Sequence, residues 1–193
     1  MKVVERAGER VRIRRSRPDD AKTTFRWFAD PLVTEFLPLA GERILPMASV
    51  VEFLELVSRD EHPSLNVGIE LLSGNLIGTG SLREIVPEVS AEISIVIGER
   101  HAWGQGYGAE AMELLLVEAF ETLNLKSIWL IVRDENVRGV RLFSRLGFQV
   151  EETINAAVVI KGVPRTKLRM RLDAAAWRLR SSSSRAARAS ADE

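Results

Sequence analysis

At 193 residues, 46% hydrophobic and 28% charged, the chain has the size and composition of one folded domain with a sizeable core. Lys+Arg and Asp+Glu are both 27, so no global field favours nucleic acid or an anionic membrane. The lack of cysteine excludes disulfides, thiolate metal sites and a cysteine nucleophile; Met1 to Val11 is too charged for a signal peptide and no apolar run approaches ~20 residues, so the cytoplasm is the expected compartment.

In chain order, Arg10 to Arg14 alternates polar and apolar residues, which predicts a half-buried strand with its arginines on the wet face. Pro18-Asp19-Asp20 suits a helix start, and Phe25, Trp27, Phe28, Phe36 and Leu37 follow in a helix-then-loop stretch broken by Pro31 and Pro38. Met47 to Arg59 is a second amphipathic helix. Leu65 to Leu72 and Leu76 to Ile85 read as a hairpin around Ser73-Gly74-Asn75. Ala91 to Ile97 is a third strand, with Ile93, Ile95 and Ile97 on one face and Glu92, Ser94 and Val96 on the other.

Gly108 to Leu123 carries core spacing for a helix, Ser127 to Val132 reads as a buried strand, and Asn136 to Leu146 is a helix capped by Gly147. Phe148 to Ile154, Ala157 to Ile160 and Arg165 to Leu172 are strand material, with a tight turn at Lys161-Gly162. Residues 1–180 then form a single domain, and the Ser/Ala/Arg-rich residues 181–193 read as a disordered tail. The order β-α-α-β-β-β-α-β-α-β-β implies an α/β fold, a central mixed sheet with helices on both faces.

Trp103 to Ala111 (Trp-Gly-Gln-Gly-Tyr-Gly-Ala-Glu-Ala) is the most informative stretch. Glycines at every second position lie between a strand and a helix. The first amides of a helix lack partners and carry the positive dipole end, so this turn is an anion cradle. Residues 106–111 match G-x-G-x-x-A of a dinucleotide-binding oxidoreductase, but there the first glycine directly follows the strand, whereas here Gly98 to Trp103 intervene. A P-loop would need a Lys after the glycines, and a plain turn into a core helix is the bland alternative.

Asn136 to Phe148 reads Asn-Val-Arg-Gly-Val-Arg-Leu-Phe-Ser-Arg-Leu-Gly-Phe. With Trp103 to Ala111, this stretch resembles the GNAT superfamily of N-acetyltransferases, whose signatures are Q/R-x-x-G-x-G/A and a downstream N-x-x-A/S-x-x-L-Y/F-x-K-x-G-F. The resemblance covers about residues 10–172 and looks closest to the branch that acetylates ribosomal-protein N-terminal alanine. It implies a GNAT fold and an acetyl-CoA site. Amides of Gln105, Gly106, Tyr107, Gly108 and Ala109, with Trp103 and Gly104 in the same loop, would cradle the diphosphate. Main-chain groups of Ile95, Val96 and Ile97 would pair with the pantetheine arm as if it were a strand. Asn136 would bond that arm, Phe143 would pack on it and Arg145 would approach a phosphate. The same residues also read as a helix cap, core packing and a solvated helix face.

The reaction so implied is direct attack of a primary amine on the thioester. Deprotonating a lysine amine at pH 7 costs about 4.6 kcal/mol, an α-amine only about 1.4. Glu92 is the candidate base, directly or through water, and Ser94 on the same face a substrate-binding residue. Many relatives protonate the leaving thiolate with a Tyr where this chain has Phe143; the only tyrosine is Tyr107, in the loop, and Ser144 is a weak substitute. Gly139 stands where the alanine-acetylating branch often has Ser. Trp27, Glu35, Phe36 and the 155–165 hairpin are candidates for the acceptor pocket. His101 and His62 read as loop residues, and no cluster has metal-ligand spacing. The expected partner is a small amine or a protein N-terminus, not nucleic acid or membrane, with a homodimer left open. A CoA-binding regulatory module without turnover is the rival reading.

Overall fold

A computed structural model describes residues 5–37, 46–59, 61–160 and 162–189, with side chains through Ser182. Pro38, Lys161 and the last four residues of the tail lie outside the described residues.

A short strand β1 (Glu5–Ala7) leads into β2 (Val11–Arg15), a 3-10 turn (Pro18–Asp20) and three helices: α1 (Ala21–Phe28), α2 (Pro31–Thr34) and α3 (Met47–Val57). The antiparallel meander β3 (Leu65–Leu71), β4 (Leu76–Val86) and β5 (Ser90–Ile97) follows, then α4 (Tyr107–Val117), β6 (Ser127–Arg133), α5 (Val137–Arg145), β7 (Gln149–Ile160), β8 (Val163–Asp173) and α6 (Ala174–Ala189). One eight-stranded sheet has the order β1-β2-β3-β4-β5-β6-β8-β7. Within it β5 and β6 are parallel and the other neighbours antiparallel. This mixed sheet with helices is the expected architecture. A strand precedes it, and the C-terminal helix reaches Ala189 through residues read from composition as a tail.

Strand alternation sorts the two faces. Val11, Ile13, Leu65, Val67, Ile69, Leu82, Ala91 and Ile93 are buried in the main core, where Met112, Leu115 and Leu116 of α4 and Phe143 of α5 meet them. Trp177 of α6 closes that core by packing on Phe120 at 5.2 Å, and its indole N–H donates to Glu113. Glu113 also takes a 2.6 Å bond from Arg180. These contacts seat the first turns of α6; Ala and Arg, good helix formers, carry it onward.

The opposite face of β2 to β5 is polar and lies under α1 and α3, which pack on each other through Ala21, Val50, Leu54 and Val57. Arg14 was expected on a wet face but is only 6% exposed. Its Nε donates to Glu70 at 2.6 Å, and its terminal nitrogens donate to both Asp20 carboxylate oxygens at 2.8 and 2.7 Å. Burial disfavours the guanidinium charge, but these two carboxylates outweigh it and hold Arg14 above its ordinary range. The alternation identified the face correctly; the helices that cover it turned a solvated arginine into a buried ion network. The expected pair of strands Phe148–Ile154 and Ala157–Ile160 is one strand, β7, bulged between Ile154 and Val158 with Ala156 at φ +50°.

Because Asp20 supplies two of Arg14's bonds, Asp20→Ala leaves a buried cation half-compensated. The expected loss is about 3 kcal/mol in urea unfolding; a loss under about 0.5 kcal/mol would show the network to be dispensable.

Candidate functional site

The site begins where the sheet splits. β5 and β6 pair only from Ser90 with Ser127 to Glu92 with Trp129. Beyond that rung Ile93 to Ile97 keep only β4, and Leu130 to Arg133 only β8. The Gly98 amide bonds to Ile77 on β4, so by alternation the main-chain groups of Ile93, Ile95 and Ile97 face the opening. Val96, expected beside Ile95 and Ile97 in holding a ligand, turns its main chain toward β4 instead. The N-termini of α4 and α5 both open at the wide end of this gap, outside the carboxyl ends of two parallel strands, where open α/β sheets place their ligands.

Gly98 lies against the face of Trp27, and a Cβ there would run into the ring. Gly104 and Gly106 have φ of +74° and +84°, so the loop needs glycine at both. Gly108 has no such constraint; a Cβ there would sit 3.5 Å from Ile97 and 3.9 Å from Leu142, on the floor of the gap. The Ala109 and Glu110 amides bond back to the Gly106 carbonyl at 3.1 and 3.2 Å. That commits Ala109, expected in the cradle, and leaves the amides of Gln105 to Gly108 at the open helix end. A cradle of bare amides, the free edge of β5 and a floor without a side chain fit a diphosphate with an extended arm.

Glu110 anchors this loop, a role the sequence reading missed. One carboxylate oxygen accepts the amides of Arg10 and Val11 at 2.7 and 3.1 Å, and the other accepts Arg10 Nε at 3.0 Å. Arg10 in turn donates to the Gln105 carbonyl at 2.9 Å and lies over the Tyr107 ring at 5.1 Å. Tyr107 is therefore part of the loop's scaffold. Burial alone would raise the Glu110 carboxyl, but the Arg10 and Val11 amides and the Arg10 guanidinium outweigh it and hold it below the usual range.

On the far lip, the Asn136 side-chain oxygen accepts the Gly139 amide at 3.0 Å and caps α5. A Cβ at Gly139 would press on the Asn136 amide group, which accounts for glycine at that position. The Asn136 NH2 is left to donate. Phe143 is 8% exposed and stacks edge-on against Phe148 at 6.0 Å, so it packs in the core. Ser144 and Arg145 are exposed, on the side of α5 away from buried Phe143. Trp103 donates its indole N–H to the Ile97 carbonyl at 2.7 Å, and Arg138, exposed in the first turn of α5, lies over its ring at 4.4 Å.

Glu92 and Ser94 lie on the α1–α3 face, as the alternation predicts. Glu92 accepts a 3.1 Å bond from Arg83, and its side chain is 16% exposed. The Ser94 hydroxyl is 2.8 Å from that of Ser81. Trp27 is 3% exposed and bonds Glu99, which Arg26 also pairs, so it is a wall of the site and not an open pocket surface. Arg133 at the end of β6 donates to the Glu35 carbonyl and lies over the Phe36 ring at 4.8 Å. This pins the α2 exit over the gap and leaves the Glu35 carboxylate exposed. From the 155–165 hairpin, Arg165 pairs with Glu135. His62 bonds Ser64, and exposed His101 lies 3.7 Å from Glu99. Among the described residues no group of His, Cys, Asp and Glu is placed to hold a metal, and no helix is long and apolar enough to cross a membrane.

Comparison with known proteins bears on this geometry. The family profile described as the acetyltransferase (GNAT) domain matches residues 10–149. An uncharacterized N-acetyltransferase, p20 of Bacillus licheniformis, is 29% identical over 161 residues, 80% of this chain and 87% of that protein. Spermidine N(1)-acetyltransferase of Vibrio cholerae is 36% identical over 110 residues, 55% of this chain and 62% of that one. The crystal structure of a spermidine N-acetyltransferase from Vibrio cholerae in complex with CoA and spermine superposes with a TM-score of 0.78 at 23% identity, over 86% of this chain and 97% of that one, which shows the shared fold.

The Glu110 strap sets a pH dependence. With the folded carboxyl depressed, its stabilisation is complete above the ordinary value of 4.5 and is lost as pH falls through the folded value. Urea titrations at pH 7 and pH 3 are expected to show a smaller loss on acidification in Glu110→Gln than in the parent; equal losses would contradict the strap.

Proposed function

We propose that this chain, which belongs to the acetyltransferase (GNAT) family, transfers the acetyl group of acetyl-CoA to a primary amine. Acetyl-CoA is the acetyl donor of this family, and when bound it supplies a thioester whose thiolate is a fair leaving group. The observation that carries the reading is the opening beyond Glu92 and Trp129, with a free strand edge on one side and helix N-termini at its mouth. The amides of Gln105 to Gly108 hold the diphosphate, the main chains of Ile95 and Ile97 pair with the pantetheine arm, and the Asn136 NH2 donates to it.

The acceptor enters from the α1–α3 face, between the Phe36–Arg133 contact and the Arg83–Glu92 pair. Its nitrogen bonds the acetyl carbon, the carbon–sulfur bond breaks, and the amine proton passes to Glu92, directly or through water. The absence of cysteine excludes an acetyl-cysteine intermediate. The acceptor is a small amine or a protein N-terminal amine. The motif pair supports the alanine-acetylating branch, and the spermidine acetyltransferase relatives support a polyamine. Phe143, buried and without a hydroxyl, favours a second reading in which the chain binds CoA and does not turn over.

A panel of polyamines and N-terminal peptides assayed for CoA-thiol release is expected to yield an acceptor. Glu92→Gln should then lower kcat/KM about 100-fold, whereas Arg83→Gln, which keeps the carboxylate, should retain most activity. CoA binding without turnover on any amine supports the second reading. Asn136→Asp keeps the cap and removes the donor, so CoA affinity should fall with thermal stability nearly unchanged; unchanged affinity would limit Asn136 to capping.

A further inference from the structure

The resemblance implies a Gln or Arg at the first motif position, and this chain has Trp103. An indole carries no charge, and its one donor is already bonded to Ile97. Beside it, Arg138 lies with its guanidinium 4.4 Å from the ring centre. Among the described residues Arg138 has no carboxylate in ion-pair range. Its position is also unfavourable for α5. The first turn of that helix has no acidic residue, and a cation there opposes the dipole. An exposed arginine kept at the positive end of a helix, without a carboxylate partner and stacked on the ring that opens the glycine loop, is a local conflict that an anion would resolve.

We infer that Trp103 and Arg138 act as one unit, in which the indole holds the guanidinium across the mouth of the gap and Arg138 supplies the side-chain charge that meets the coenzyme's diphosphate. This rests on the acetyl-CoA reading above and adds a specificity-determining residue to it. Trp103 serves as a platform. It ties itself to the end of β5 through Ile97 and offers a ring face on which a planar cation is held at low entropy cost. Arg145 sits seven residues further along α5, roughly 10 Å away at 1.5 Å per residue. It therefore lies too far to share this contact.

The test is calorimetric binding of CoA and of dephospho-CoA, which lacks the 3′-phosphate, to the parent, Arg138→Gln, Trp103→Leu and the double variant, each first checked for an unchanged thermal transition. Loss of a charged hydrogen bond predicts about 10- to 100-fold weaker binding of both ligands to Arg138→Gln. Trp103→Leu should show a similar loss, and the double variant little more than either. Arg138→Lys should recover only part of it. A parent that binds and an Arg138→Gln that binds equally well would overturn the inference and leave the acetyl-CoA reading standing. A loss confined to CoA would overturn it too, because the 3′-phosphate would then be what Arg138 meets. A parent that binds neither ligand would defeat the reading beneath it.

Discussion

Two parallel strands that begin paired and then part are the constraint on which the rest depends. A sheet normally satisfies its main-chain groups by continuing its ladders, and a break inside it leaves donors and acceptors without partners. Here the ladder between β5 and β6 stops after Glu92 and Trp129. The flanking strands hold the two sides apart: β4 pairs with β5 as far as Ile97, and β8 pairs with β6 as far as Arg133. The free edge is therefore held in extended form by its pairing with β4.

Charge placement follows from that opening. The arginines that brace its walls are paired: Arg14 with Asp20 and Glu70, Arg10 with Glu110, Arg83 with Glu92. Each such pair fixes one wall. Arg14 seats the turn before α1 on the sheet, Arg10 and Glu110 tie the glycine loop to β2, and Arg133 bonds the main chain after α2 over the mouth. The walls are thus held by local pairings, whereas the lip near Trp103 carries a guanidinium without a carboxylate partner.

Periodicity and turn chemistry made most of the fold legible. The faces of β5 were readable from Glu92-Ile93-Ser94-Ile95, and the cap of α5 from Asn136 and Gly147, because these depend on neighbours in sequence. Three things were not legible. Arg14 looks solvated until helices arrive from far along the chain. Trp177 seats α6 through Glu113 of α4 and Phe120 just beyond it, some sixty residues earlier in sequence. Which main-chain groups of Ile95, Val96 and Ile97 face the gap depends on hydrogen-bonding phase, which side-chain alternation does not report. The glycine loop was evident as a cradle, but Ala109 bonds inward, and the anchor Glu110 sat unremarked inside the motif. Arg138 stood in the second motif yet meets Trp103 only when the two loops fold together.

The account turns on which amides a coenzyme covers, and amide hydrogen exchange with and without saturating CoA reads this directly. Ile95, Ile97 and Gln105 to Gly108 should slow on binding, while Val96, already directed at β4, should not change. Binding that leaves those amides as they were, or that protects Val96 in place of its neighbours, would contradict it.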